Sequence, residues 1–290
     1  MAKLMKSFGF ICIFACVLGG FSIEDGLFSV LFQPTELLII LGAAIGYLVI
    51  SNPPYVLKNL GIYLYRSLIR SAYSKSSYLD LQLLLYKLFQ LVRKQGVLRL
   101  EDHIEDPERS SIFREHPWIL KDQVLCNYIC DSFRIMLQNQ IASGDLNAKL
   151  QDEMETIEMD LYRYPLALHK IADALPGFGI LAAVMGIILA MGHINGDITT
   201  IGLSVASALS GTFIGILFSY GFFAPLANLV QEESNRDMMA LGVVKGSILA
   251  YQSKVPTVLV VDAGRRNLFG EMKPSFNEMN RLFKREARAA

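Results

Sequence analysis

Four stretches of the chain, residues 7–22, 35–51, 175–191 and 201–230, are almost continuously apolar and carry very little charge. A helix that crosses about 30 Å of hydrocarbon needs about 20 mostly apolar residues. The first stretch is slightly short but extendable at both ends, and the fourth is long enough to project beyond a bilayer. Pro34 and the run Asn52-Pro53-Pro54 bracket the second. The connectors at 23–33 and 192–200 are short, so the spans pair as two hairpins. Lys3 and Lys6 precede the first apolar run, as in a signal peptide. No A-x-A-like cleavage site follows Val17-Leu18-Gly19-Gly20, however, and a second apolar run comes at once, so a retained helix is predicted.

Between and after the hairpins the pattern changes to polar and helical. Leu79-Asp80-Leu81-Gln82-Leu83-Leu84-Leu85-Tyr86-Lys87-Leu88-Phe89 is rich in helix formers with apolar residues on more than one face, which predicts a helix packed within a soluble domain. Gly96 and Asp106-Pro107 punctuate the chain after this helix. A second helix is predicted over about 117–143, ending at Gly144-Asp145. A third starts at about Leu146 and carries Asp152, Glu153, Glu155, Glu158 and Asp160, read as a solvated face rather than a catalytic cluster. The tail is predicted helical to about Tyr251, followed by basic pairs, Pro256 and Pro274. The fold class is therefore an all-α membrane protein with four transmembrane helices, a helical cytoplasmic domain between helices two and three, and a cytoplasmic C-terminal tail. Its segments are 1–51, 52–174, 175–230 and 231–290.

Charge placement sets the orientation. The two connectors hold no Lys or Arg but include Glu24, Asp25 and Asp197. All 27 basic residues fall before the first span, within 52–174 or after 230. The positive-inside rule then puts both termini and the middle domain in the cytoplasm of a bacterial inner membrane. Across the whole chain, 52% of residues are hydrophobic and 19% charged, with mean hydropathy +0.37 and zero formal net charge. That balance gives no reason to expect a nucleic-acid partner.

Site chemistry narrows the function by what the sequence lacks. There is no Walker A loop, HExxH, GxSxG or GxGxxG, and no enzyme reading finds support. Cys12 and Cys16, and Cys126 and Cys130, have i,i+4 spacing without the further ligands a metal site needs, and they read as small buried side chains. No disulfide framework, metal or cofactor is expected. His103, His116, His169 and His193 are dispersed; His193, near Asp197, is a candidate for pH response.

The membrane spans are richer. Small residues recur at four-residue spacing: Gly42 and Gly46 in helix two, Ala182, Gly186 and Ala190 in helix three, Gly211 and Gly215 in helix four. Such spacing permits close backbone approach, within a subunit or between subunits. Thr199, Thr200, Ser204, Ser207, Ser210, Thr212 and Ser219 add hydroxyls, which either bond carbonyls of their own helix or line an ion path. No strong ionisable group is expected inside the membrane, with Glu36 near the outer end of helix two and Asp173 just inside helix three. A proton path would need a carboxylate from another chain. Pro176 and Pro225 each free a backbone carbonyl and permit a kink, either as helix boundaries or as hinges.

Several segments resemble one family in order along nearly the whole chain. They are Phe32-Gln33-Pro34-Thr35-Glu36-Leu37, Tyr78-Leu79-Asp80-Leu81, Arg109-Ser110-Ser111-Ile112-Phe113, Ala174-Leu175-Pro176-Gly177-Phe178-Gly179-Ile180, Gly211-Thr212-Phe213-Ile214-Gly215-Ile216-Leu217 and Tyr220-Gly221-Phe222-Phe223-Ala224-Pro225-Leu226. The chain is similar to the MotA/PomA family, the larger subunit of the flagellar stator. The resemblance implies a homopentamer around a pair of single-helix MotB/PomB partners, which bring a membrane aspartate and a peptidoglycan-binding domain. Ion flow would turn the ring against the rotor protein FliG.

By motif, Arg93 matches the family's rotor-facing arginine and Glu101 its glutamate, while Lys94 and Arg99 add positive charge. Pro176 and Pro225 match the functional prolines, and Thr212 the threonine near the ion site. Sodium-type relatives carry a threonine where this chain has Ala183. An oxygen ligand suits a hard cation, so its absence favours protons. An ExbB/TolQ-type energiser ring is the nearest alternative, but those proteins typically have three spans. A secondary transporter would need a discontinuous-helix solute site, which no intramembrane acid supports.

Overall fold

The structure, a computed structural model, describes residues 2–24, 26, 28–69, 73–137, 143–192 and 198–289. Asp25, His193 and Asp197 lie outside the described residues. Among those described there is no strand. The helices in chain order are α1 (Ala2–Ile23), α2 (Phe28–Leu31), α3 (Pro34–Ser51), α4 (Pro54–Leu68), α5 (Lys75–Gln95), α6 (Val97–Glu105), α7 (Ser111–Arg114), α8 (Pro117–Lys121), α9 (Gln123–Leu137), α10 (Ser143–Gly192), α11 (Ile198–Phe218), α12 (Ala224–Gln252), α13 (Thr257–Arg265) and α14 (Phe276–Ala289). A π turn, Ser219–Phe223, joins α11 to α12, and a short 3-10 turn, Gly270–Met272, precedes α14. Four helices are long and apolar enough to cross a membrane, which agrees with the four apolar stretches of the sequence.

Two boundaries differ from the sequence-based expectation. The helix predicted over 117–143 is two helices. The chain breaks at Asp122, whose backbone N–H bonds both Trp118 and Ile119 carbonyls. Its carboxylate then accepts the backbone N–H of Leu125 at 3.2 Å and so caps α9. Conversely, the helix predicted from Leu146 begins at Ser143 and continues without interruption into the third span, so α10 is one helix of 50 residues with Pro165 and Pro176 inside it.

The chain divides into two compact units. The first comprises residues 1–70 and 160–233. Here Pro34 occupies the first turn of α3, where its missing N–H costs nothing. Asn52 ends that helix by donating to the Leu48 carbonyl at 2.9 Å, and Pro54 starts α4. α4, absent from the sequence reading as a separate element, buries Val56, Leu60, Tyr63 and Ser67 on one face. Tyr63 stacks on Tyr164 of α10 at 4.4 Å, and Asn59 donates to the Tyr164 hydroxyl. Lys6 at the start of α1 donates to the Ser67 carbonyl at 2.7 Å.

The second unit comprises residues 71–159 and 234–290. Its axis is α5, started by a reciprocal Ser74–Ser77 capping box and ended by Gly96 at φ 85°, a value that favours glycine. Tyr78, Leu81, Leu84, Leu85, Leu88 and Phe89 are fully buried around this helix, which explains why its sequence is apolar on more than one face. Each such side chain contributes about 1.5–3 kcal/mol by leaving water. Phe89 packs on Phe133 and Tyr251, both at 5.0 Å. Asp80 accepts from the Trp118 indole at 2.5 Å and pairs with the His116 ring at 2.8 Å, which ties α8 to α5. Along α10, Asp152, Glu155, Glu158 and Asp160 are exposed and Glu153 is half-buried, as a solvated acidic face would be.

The tail helix α14 returns to α5. Phe283 stacks on Tyr86 at 4.2 Å, and Lys87 bridges Glu115 at 2.5 Å and Glu286 at 2.6 Å. Glu278 accepts from Lys75 at 2.8 Å and from the Ser275 backbone N–H at 2.7 Å. The Lys75 ammonium first, then these Ser275 bonds, hold the Glu278 carboxyl at about 2, below its ordinary 4.5. Because the folded value is the lower one, this contribution to α14 docking is complete above the ordinary carboxylate value and is lost as pH falls toward 2. Hydrogen exchange over 276–289 is therefore expected to accelerate across that acid window. Glu278→Gln is expected to flatten the dependence.

Candidate functional site

The densest feature of the membrane unit is the crossing of α10 and α11, where glycines replace side chains with backbone contact. A Cβ on Gly179 would lie 2.9 Å from the Gly211 carbonyl, and one on Gly215 would lie 2.8 Å from the Leu175 carbonyl and 3.0 Å from the Gly179 Cα. A Cβ on Gly186 would meet the Ala208 Cβ at 2.8 Å. Gly186, Gly211 and Gly215 lie at these close contacts, and Gly179 joins them. Gly42 and Gly46 do not: a Cβ at either would meet nothing within 4 Å. They lie at four-residue intervals with Leu38 on α3, and Leu38 is exposed. Their expected close packing is not made inside this chain.

Two proline effects converge at the end of the crossing where Pro176 lies. Pro176 has no N–H to bond the Ala172 carbonyl four residues earlier. That carbonyl instead accepts the Ser219 hydroxyl at 2.6 Å, and Ser219 is fully buried. Ser219 also opens the π turn, and Pro225 follows that turn. The widened turn accommodates the missing N–H and the ring of Pro225 at the Gly221 carbonyl. The carbonyl freed by one proline is therefore bonded by the residue that begins the distortion belonging to the other. Sequence reasoning anticipated the free carbonyl but not its partner, because helical periodicity does not show which residue of a distant helix lies opposite.

Among the other hydroxyls, Ser210 donates to the carbonyls of Val30 at 2.7 Å and Ala206 at 3.0 Å. Ser210 thus bonds a carbonyl of its own helix and one of α2, whereas Ser219 bonds a carbonyl of α10 and none of its own helix. Thr212 is half-buried next to Gly179, and Ala183 is buried. A cleft of about 480 Å³ opens beside Tyr47, Lys170, Asp173, Gly177 and Phe178, which brings two charged groups to the end of the α10 span where Pro176 lies.

Glu36 departs from expectation. It is in the first turn of α3, yet it is 5% exposed. A Cβ on Gly211 would lie 2.9 Å from its Oε2 and 3.2 Å from the Ala182 Cβ. Gly211 is about 20 Å along α11 from Ile198, and Ala182 is about 15 Å short of the Gly192 end of α10, at about 1.5 Å per residue. α3 therefore starts well below the ends of its neighbours, and the carboxyl sits at the middle of the span 175–191 rather than at its edge.

In the second unit, Arg93 and Lys94 occupy the last turn of α5, and Glu101 lies on α6 beyond the Gly96 bend. All three are exposed. Arg93 is also held from within: its guanidinium donates to the Val255 carbonyl and lies 5.5 Å from the Tyr251 ring centre. Arg99 approaches Asp102 at 3.9 Å, and Leu98 is 78% exposed among these charges. Among the described residues no three metal-ligating side chains converge.

Residues 7–96 match the profile of the motility protein A N-terminal family, and residues 121–242 that of the MotA/TolQ/ExbB proton channel family. The chain is 40% identical to the chemotaxis protein LafT of Vibrio parahaemolyticus, covering 96% of this chain and 98% of that one. It is 35% identical to motility protein A of Escherichia coli over 93% and 92% of the two chains. Its fold matches a chain of the C. jejuni MotAB structure with a TM-score of 0.73 at 16% identity, covering 92% and 96%. It also matches the flagellar MotAB stator complex of Bacillus subtilis, with a TM-score of 0.66 at 22% identity, covering 88% and 92%.

Proposed function

The chain belongs to the motility protein A family of flagellar stator ion-channel subunits, and from that membership we propose how its residues turn ion flow into torque. The observation that carries the proposal is the Ser219–Ala172 bond, which links the Pro176 and Pro225 distortions in the membrane. Ion occupancy near Thr212 shifts the α10–α11 crossing. α10 and α12 each continue in sequence from the membrane spans into the polar residues, and so carry the shift inward. One elementary charge crossing about 100 mV supplies about 2.3 kcal/mol, enough to bias a small helix rearrangement.

In this reading residues 1–51 and 175–230 are the membrane hairpins, 52–174 is the rotor-contacting domain and 231–290 the tail, with both termini cytoplasmic. The absence of Lys and Arg from the connectors supports that orientation. The working unit is a ring, a homopentamer by family resemblance, around a pair of MotB-type helices that bring an acidic residue and anchor to peptidoglycan. Protons are the favoured ion, because Ala183 offers no oxygen ligand. The match of residues 7–96 to a motility-specific profile favours this role over an ExbB/TolQ-type energiser.

Arg93, Lys94 and Glu101 form the edge offered to FliG. Exposed charge pairs contribute only about 0–1 kcal/mol each, which suits contacts that must be released at every step. Reversing both Arg93 and Glu101 is expected to slow swimming severalfold without lowering the amount of protein in the membrane; unchanged swimming would remove the rotor assignment. Deleting the gene is expected to leave flagella assembled but paralysed. Motility in the complemented strain is expected to stop with a protonophore and to survive sodium removal. Normal motility in the deletion strain, in the absence of a second stator, would reject the function.

A further inference from the structure

Glu36 is, among the described residues, the one carboxyl group that the fold carries into the middle of the membrane unit, and neither the residue roles implied by the family resemblance nor the ion path described above includes it. The residue is only 5% exposed, and its Oε2 has no hydrogen-bond partner among the described residues. The niche that holds it is made by absences of side chain. Gly211 has no Cβ, and one placed there would come within 2.9 Å of Oε2; Ala182 contributes only a methyl group. A buried carboxylate needs a counter-charge, a cage of donors or a proton.

The packed elements supply no counter-charge. α10 from Leu175 to Gly192 and all of α11 and α2 contain no ionisable side chain. α3 adds only Tyr47, the π turn only Tyr220, and α1 only Lys3, Lys6, Cys12 and Cys16. Lys6 bonds the Ser67 carbonyl, and Tyr220 is 68% exposed. Nor is there a cage among the described residues. Ser210, the residue before Gly211, already donates its hydroxyl to the Val30 and Ala206 carbonyls. The remaining way to keep the group buried is a proton.

We propose that Glu36 is a proton-binding site of the chain's own inside the membrane, separate from any acid that a partner helix brings. The carboxylate takes a proton from a hydronium ion, forming one O–H bond and leaving water. It returns the proton to water when the niche between α3, α10 and α11 opens. Gly211, by lacking a Cβ, gives the group room to exist in both forms. The inference rests on the reading of the chain as an ion-channel subunit only for its use, since the binding itself is a property of this chain alone.

The test therefore has two arms. In the first, the full-length chain without any partner is placed in phospholipid vesicles, and infrared spectra are recorded across a pH titration in water and in heavy water. A carboxylic-acid C=O band that shifts in heavy water and is missing in Glu36→Gln is expected. Gly211→Ala is expected to move the band, because its methyl group presses on Oε2. Identical carboxyl spectra for the parent and a folded Glu36→Gln chain would overturn the proposal. If Glu36→Gln fails to fold, an unmoved band in Gly211→Ala would overturn it. The second arm compares swimming speed against external pH in cells. Glu36→Gln, which keeps the side-chain shape, is expected to lose speed severalfold and to flatten the pH profile, while Glu36→Asp recovers part of both. A merely structural glutamate would leave the profile unmoved. Failure of the stator function itself would appear as the parent chain not supporting motility while the spectral band persists.

Discussion

Gly215→Val is expected to abolish motility. The added Cβ would sit 2.8 Å from the Leu175 carbonyl and 3.0 Å from the Gly179 Cα, and both of these are backbone atoms. A flexible side chain could swing away, but a helix backbone must shift as a whole. Overpacking of this kind costs about 1–3 kcal/mol in a close-packed interior. Here the displaced contact is also the crossing to which the proposed function assigns coupling. Gly215→Ala is expected to give a weaker form of the same defect. Gly42→Ala and Gly46→Ala are the internal controls, because a methyl group at either position meets nothing within the chain. Swarm diameter, the amount of protein in the membrane and disulfide crosslinking between cysteines placed on α10 and α11 separate a lost crossing from lost protein. Full motility in Gly215→Val would show that the close approach is dispensable.

The second large effect is expected at the pair Pro176 and Ser219. Pro176→Ala restores an N–H that bonds the Ala172 carbonyl inside α10, so the Ser219 hydroxyl must share its acceptor with a straightened helix. Ser219→Ala removes the donor and leaves the same carbonyl bare. The first variant weakens and the second removes the 2.6 Å bond between the helices. A side-chain hydrogen bond within a membrane bundle contributes only about 0.6 kcal/mol on average, so both variants are expected to assemble. Torque, by contrast, is expected to fall severalfold in each. The double variant is expected to be no worse than Ser219→Ala alone, since the interaction can be lost only once. Additive losses in bead-assay torque would show that the proline and the serine act separately.

The sequence revealed those parts of this molecule that depend on position along one helix. The four spans are visible as apolar runs with almost no charge, and α5 as a helix apolar on more than one face, because hydropathy and periodicity are local. Gly96 is readable as a break, since its backbone angle is one that favours glycine. The break at Asp122 is less visible: the apolar pattern of Trp118, Ile119 and Leu120 runs on to Leu125, and the carboxylate that caps α9 resembles any surface acid.

Pairings between distant helices are the least legible. Four-residue spacing shows that a backbone can be approached, but not by what, so Gly211 and Gly42 look alike. Glu36 reads as lying near the outer end of helix two because the distance by which α10 and α11 overshoot the start of α3 is written nowhere in α3. The second hold on Arg93 is likewise hidden, because the Val255 carbonyl and the Tyr251 ring lie far along the chain.

The π turn at Ser219–Phe223 has a rotational consequence. Each turn of that form holds about one residue more than an α turn. An additional residue rotates everything after it by about 100° around the axis, given about 3.6 residues per α turn. The face that α12 presents is therefore out of phase with the face that α11 presents, even though the two helices are consecutive. Moving the wide turn by a few residues would swing the intervening side chains to a new side while both ends keep their places, which is a way for a helix to turn part of itself without unwinding.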